Sequence, residues 1–250
     1  MLSTGPMVSL LLVTRRPWLL PAVWTQLERQ TYANTELVVV LHGHRMADLG
    51  APEARVLEQA SSVLELRPDV SLGHCLNAAI AEARGTFVAK IDDDDLYGSN
   101  YLAEAVHHLV AGHGDIVGKA EFYVYLAASG TTLLRHPGAS LRSVDCVHGP
   151  TLAFSRALGL RYPFRDITLG GGNAFQEDCR LGGQTVYATS RKNFMYLRRA
   201  VDKGHTWLNA EAELMQSGLT LRERRHFSVV ELFGFIDDRE IEGTGLDGLL

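Results

Sequence analysis

Residues 8–13, Val-Ser-Leu-Leu-Leu-Val, are apolar at both odd and even positions. A strand covered on one face alternates, so a run apolar on both parities predicts a strand covered on both faces, as in a parallel sheet. The pattern returns at residues 37–41, in shorter form at 63–66, and at 86–91. Between these runs lie helical patterns. Residues 21–28 open on Pro21, favoured in a first turn, and carry a stripe of Leu20, Val23, Trp24 and Leu27. Residues 73–83 place Leu76, Ala79, Ile80 and Ala83 at helical spacing, and Gly85 closes the segment. Strands alternating with helices predict an α/β fold of right-handed parallel βαβ units, a Rossmann-like sheet flanked by helices.

The 86–91 run ends in four consecutive carboxylates, Asp92, Asp93, Asp94 and Asp95. Adjacent like charges repel, and four exceed what a helix cap requires. At the mouth of a buried strand they suit a hard divalent cation, Mn²⁺ or Mg²⁺, which takes oxygen ligands and is commonly shared with substrate phosphates. A solvated acidic turn before a helix near Ser99 is the plainer reading. Open α/β sheets bind ligands beyond the carboxyl ends of their strands. Thr14-Arg15-Arg16, His42-Gly43-His44 and the acidic run all fall at such ends.

With 250 residues the chain is long enough for one large α/β domain or two small ones, with a substantial core. Hydrophobic residues make up 46%, which argues against disorder. A formal charge of −5 argues against a generic nucleic-acid binder, yet admits an anionic substrate held through a metal. Cys75, Cys146 and Cys179 match no zinc spacing and read as free thiols of a reducing compartment. The apolar stretch at 7–13 is too short to span a bilayer. These features lead to the expectation of a cytoplasmic protein without a transmembrane segment, which leaves peripheral membrane contact open.

The second half has a different texture. Residues 121–126 and 131–135, joined by Ala127-Ala128-Ser129-Gly130, predict a hairpin. Further short strands are expected at 151–154, 186–187 and 194–197, and Gly170-Gly171-Gly172-Asn173 reads as a flexible connection. The tail after Asp237 is polar and glycine-rich. No linker, repeat or low-complexity tract divides the chain.

Over residues 8–207 the sequence resembles the family 2 glycosyltransferases, nucleotide-sugar enzymes of the GT-A fold. The resemblance rests on Thr14-Arg15-Arg16-Pro17, Gln30-Thr31-Tyr32 and Glu36 to Val40; on Gly73 through Asn77 and Ala83 to Ala89; on the acidic run, which looks like a DxD motif; and on Glu177-Asp178. It implies one GT-A domain, with a nucleotide-sugar half at 7–118, an acceptor half with a smaller mixed sheet at 119–208, and a C-terminal helix and tail at 209–250. It further implies a non-processive transferase that moves a sugar from a nucleoside diphosphate, most commonly UDP, to an acceptor with inversion. Donor-binding residues would be Thr14, Arg15, Arg16, His42, Gly43, Asn77, Lys90, Asp92 and Asp93. Asp94 and Asp95 would hold the metal, completed by His205 of His205-Thr206-Trp207. Asp178 would be the general base, with Glu177 shaping the acceptor pocket, which draws on residues 147–175. Arg198 and Arg199 suit either phosphates or an exposed strand end.

One departure stands out: Leu41-His42-Gly43-His44 replaces the acidic pair with which many relatives end the second strand. No Gln-x-x-Arg-Trp motif of processive synthases is present. Two other readings share part of the pattern, a sugar-nucleotide pyrophosphorylase or nucleotidyltransferase and a non-catalytic nucleotide-sugar-binding module. The first normally wants a glycine-rich phosphate loop, which Thr14-Arg15-Arg16-Pro17 lacks. An aspartyl-phosphate phosphatase is excluded, because its nucleophile must follow the first strand.

Overall fold

The doubly apolar runs form the centre of the molecule. The computed structural model describes residues 5–199, 214–216, 218–222 and 225–237. Strands β1 (Val8–Thr14), β2 (Thr35–His42), β3 (Ser62–Leu66) and β4 (Phe87–Ile91) lie parallel, in the order β3-β2-β1-β4. Helices α1 (Leu20–Glu28), α2 (Ala51–Leu57) and α3 (Leu72–Glu82) connect them. Pro21 sits in the first turn of α1, and Ser71 caps α3 by accepting the His74 N–H at 3.0 Å. Side chains of a strand alternate between faces. Leu10 and Leu12 join Leu37, Val39 and Leu41 in one core, while Leu11 joins Val38 and Val40 in the other.

The chain continues through β5 (Leu96–Tyr97), α4 (Tyr101–Val110), β6 (Ile116–Gly118), β7 (Phe122–Leu126) and β8 (Thr131–Arg135). Then follow β9 (Arg142–Ser143), β10 (Ala153–Ser155), α5 (Arg156–Arg161) and α6 (Gly171–Leu181). β11 (Val186–Ala188), β12 (Phe194–Arg198), β13 (Gly218–Arg222) and α7 (Val229–Ile236) complete the described elements. The first sheet runs β3-β2-β1-β4-β10-β6-β11-β9, with β10 antiparallel to both neighbours. A second, mixed sheet runs β13-β8-β7-β12-β5 and contains the expected hairpin. Because β10 inserts between β4 and β6, the two halves of the chain share one sheet.

One expectation is corrected. Residues 171–173 are the first turn of α6, not a flexible connection. Gly170 takes φ +74°, a left-handed conformation that glycine adopts without penalty, and this sets the entry to the helix. All three cysteines are free, with Cys75 and Cys179 buried. No helix among the described residues is long and apolar enough to cross a membrane. The tail from 238 onward lies outside the described residues.

The C-terminal helix docks through apolar and polar contacts. Val229, Leu232, Phe233 and Ile236 pack against Leu96, Tyr125, Met195 and Leu197 of the second sheet. Just past α7, buried Asp237 accepts hydrogen bonds from Arg29 Nη2 and the Ser99 N–H, each at 2.8 Å. Removing this carboxylate strands an N–H and a half-buried guanidinium. Asp237→Ala is therefore expected to lose about 2–3 kcal/mol of stability, read as a lower urea midpoint; an unchanged midpoint would show that the helix docks through its apolar face alone.

Candidate active site

The strand order reverses between β1 and β4, which places a topological switch point beside the carboxyl end of β4. The acidic run emerges there and is pinned on every side. Asp93 accepts hydrogen bonds from the Thr14 hydroxyl and from the Arg16 guanidinium, which also pairs with Asp94 at 2.8 Å. Asp92 pairs with Lys90. Asp95 Oδ1 accepts the Leu197 N–H of β12 at 3.1 Å. Gln26 of α1, fully buried, accepts the Tyr97 N–H at 2.9 Å and donates to the Asp95 carbonyl.

Burial of like charges sets the electrostatics. Asp93 is pushed up to about 6 by burial and by Asp94, against the pull of Arg16 and Thr14. Asp95 is raised well above the carboxylate range by burial, Asp94 and Asp92. Arg199, at the end of β12, is lowered by burial while lying in the field of Asp94, Asp93 and Asp95.

One carboxylate atom is left over. Asp95 Oδ2 is buried and meets no hydrogen-bond donor among the described residues. Carboxylate oxygens of Asp92, Asp94 and Asp95 lie within 4.8 Å of one another. Converging anionic oxygens, one of them unsatisfied, fit a hard divalent cation.

The cluster opens into a cavity of about 470 Å³. Lys90, Asp92, Asp94 and Asp95 form its acidic end; Tyr196, His148 and Gly149-Pro150 flank it; Leu72, Leu76, Leu169 and the first turn of α6 close the rest. The His148 ring stacks on Phe122 at 4.2 Å, and its Nε2 is sealed from solvent. Burial, with Lys90 and Arg135 nearby, drives its pKa down to about 3, so the ring is neutral.

Solved structures of related shape were found at low identity. A mannosyltransferase, PcManGT from Pyrobaculum calidifontis in complex with GDP-Man and Mn²⁺, is 18% identical with a TM-score of 0.61, over 80% of this chain and 59% of that one. The 1–349 portion of S. aureus TarS in complex with UDP-GlcNAc is 16% identical with a TM-score of 0.59, over 84% of this chain and 64% of that one. This chain has the GT-A glycosyltransferase fold. It spans 59% of the mannosyltransferase chain and 36% of the longer TarS chain. No protein-family profile matches the sequence, and neither does any curated protein.

Within this GT-A fold the expected site residues separate into groups. Lys90, Asp92, Asp94 and Asp95 line one cavity. Thr14, Arg16 and Asp93 lie directly behind it and hold the run in place. Arg15 and His42 interlock one strand away, with the guanidinium 3.1 Å from the imidazole and 2.7 Å from the Pro68 carbonyl. The Gly43 turn is present at φ +86°, and its N–H reaches the Leu66 carbonyl at 2.7 Å. None of Arg15, His42 and Gly43 lines the cavity.

Asn77 is spent elsewhere. Both ends of its amide hold the Phe164 backbone, at 2.9 and 2.8 Å, and it does not line the cavity. Glu177 and Asp178 also lie off the lining, about 10 Å along α6 from its first turn. Arg165 binds both, reaching Asp178 at 2.6 and 3.0 Å, and holds Asp178 below its usual range. His205 lies outside the described residues.

Sequence patterns missed His148, Tyr196, Tyr97 and Gln26. Tyr97 lies two residues past the acidic run, so nearness in sequence was the available signal. The others reach the site only through tertiary contacts.

His148 generates a pH signature. Its folded pKa lies below the ordinary value near 6.5, so the unfolded chain binds the proton more readily and stability falls as pH falls. Between pH 6.5 and 5 the wild type should lose about 1.5–2 kcal/mol more than His148→Gln does. Parallel urea titrations measure the difference, and coincident pH profiles would show that the ring protonates freely.

Proposed function

We propose that this chain is a metal-dependent glycosyltransferase that moves a sugar from a nucleoside-diphosphate donor to an acceptor nucleophile, with inversion and without processivity. The single observation that carries this reading is the convergence of Asp92, Asp94 and Asp95 on one cavity with Asp95 Oδ2 unsatisfied. Asp94 and Asp95 would hold Mn²⁺ or Mg²⁺, with Asp92 beside them toward the ribose. When bound, the cation offsets the charge that builds on the departing diphosphate. The cargo of the mannosyltransferase structure, GDP-Man with Mn²⁺, and the UDP-GlcNAc of TarS support a donor of this class.

The chain's own groups supply the rest. Lys90, already paired with Asp92 and lining the cavity, adds positive charge at its acidic end. Arg16 offsets part of the repulsion between Asp93 and Asp94, which keeps the run organised before the donor arrives. Asp178 is assigned as general base. The acceptor oxygen bonds to the anomeric carbon as the carbon–phosphate oxygen bond breaks, and the acceptor proton passes to the carboxylate. Arg165 must first release Asp178. That ion pair is solvent-exposed, where water and salt screen it, so parting it is easy.

A thermal-shift panel of UDP, GDP, dTDP and CDP, with and without Mn²⁺, tests the donor class. Asp94→Asn should abolish any metal-dependent shift and lower transfer by about 10²-fold or more; full activity in that variant removes the metal role. Asp178→Asn should keep the shift and stop transfer, whereas Arg165→Ala should retain both. Loss of donor binding in Asp178→Asn would remove its assignment as base. Wild-type binding of a nucleotide sugar with no product from any acceptor would favour the non-catalytic module, and release of a sugar phosphate on adding pyrophosphate would favour the pyrophosphorylase.

A further inference from the structure

Tyr97 lies two residues past the acidic run and is buried, its ring 4.9 Å from Tyr101 and 5.4 Å from Phe194. Its hydroxyl is used in both directions. It accepts the Asp92 N–H at 2.8 Å and donates to the Pro150 carbonyl at 3.0 Å. Asp92 and Pro150 both line the cavity, one in the carboxylate run and one in the turn at Gly149–Thr151. The Tyr97 backbone is itself fixed, through Gln26 and through pairing of β5 with β12. A buried hydroxyl that spends its proton and a lone pair on two backbone groups fixes the distance between them.

We infer that Tyr97 is a positioning residue that sets the acidic run against the Pro150 turn and so fixes the spread of the carboxylates. The inference rests on the reading of that run as a cation and diphosphate site. Divalent cations of this kind depend on ligand geometry, and loss of a group that orients a ligand commonly weakens metal binding about 10- to 100-fold. The structure supplies its own comparison. Tyr101, in the same ring cluster, has a buried hydroxyl with no hydrogen-bond partner among the described residues. Removing that hydroxyl deletes an oxygen but breaks no bridge.

The experiment measures Mn²⁺ uptake by electron paramagnetic resonance at saturating UDP, repeated with GDP, together with metal-free thermal melts. Tyr97→Phe should bind Mn²⁺ about tenfold more weakly, while Tyr101→Phe should match the wild type and Asp94→Asn should take up none. Equal Mn²⁺ affinity in Tyr97→Phe and wild type, whatever the change in melting temperature, overturns the positioning role and leaves the metal reading intact. A wild type that takes up no Mn²⁺ with either nucleotide overturns both. Should Tyr97→Phe fail to fold, 3,5-difluorotyrosine at position 97 keeps the ring and hydroxyl but weakens the oxygen as an acceptor. A loss of about two- to threefold is then expected, and unchanged affinity overturns the inference.

Discussion

Four adjacent carboxylates at the end of a buried strand must be neutralised before the chain can fold around them, and most of the surrounding architecture answers that demand. Unit charges a few ångströms apart in a poorly polarisable interior repel strongly. Arg16 meets Asp93 and Asp94 because β1 lies beside β4, which brings the residues just after Thr14 to the acidic run. Lys90, two residues upstream, meets Asp92. Among the described residues Asp95 receives only the Leu197 N–H, on one oxygen, and burial raises its pKa. The neutralisation is thus incomplete at one atom, and that atom belongs to the cluster that opens into the cavity.

The same run ties the two sheets together. Asp93 is held by Thr14 at the end of β1 in the first sheet, and Asp95 by Leu197 of β12 in the second. Between them β5 leaves the acidic run and pairs with β12. Gln26, from a helix packed on the first sheet, holds both Asp95 and Tyr97. A polar side chain at a core position of α1 follows from this: a leucine there would bury more apolar area but leave two backbone groups of the run unpaired.

The fold was legible in the sequence where burial has a period. Both-parity apolar runs and 3.6-residue stripes recovered β1 to β4, α1 and α3 within one or two residues, because those patterns directly encode which faces are covered. The acidic run was legible because four adjacent carboxylates at the mouth of a buried strand exceed what a helix cap requires. What escaped depends on distant partners. Tyr97 reaches Pro150, and His148 stacks on Phe122, across separations that no local pattern records. Three glycines looked like a flexible connection, yet two of them begin a helix whose interior, Phe175 and Cys179, is anchored in the core. Asn77 looked available for a ligand, but its amide is satisfied at both ends by the Phe164 backbone.

Burial also divides the cavity's surroundings into a fixed and an adjustable part. The acidic end is built from mostly buried charges held by Thr14 and Arg16 side chains beside the first sheet and by the Leu197 N–H of the second, so little reorganisation remains when a ligand arrives. Asp178 and Glu177 are different: they are held only by an exposed arginine on the segment that also contacts Asn77. Exposed ion pairs are screened and exchange readily with water. A GT-A enzyme of the kind proposed needs its diphosphate end identical in every turnover, whereas its acceptor end must admit, deprotonate and release a second molecule. Asp94 and Asp95 are buried, whereas Asp178, the carboxylate assigned to accept a proton, is held through an exposed arginine that can exchange it for water.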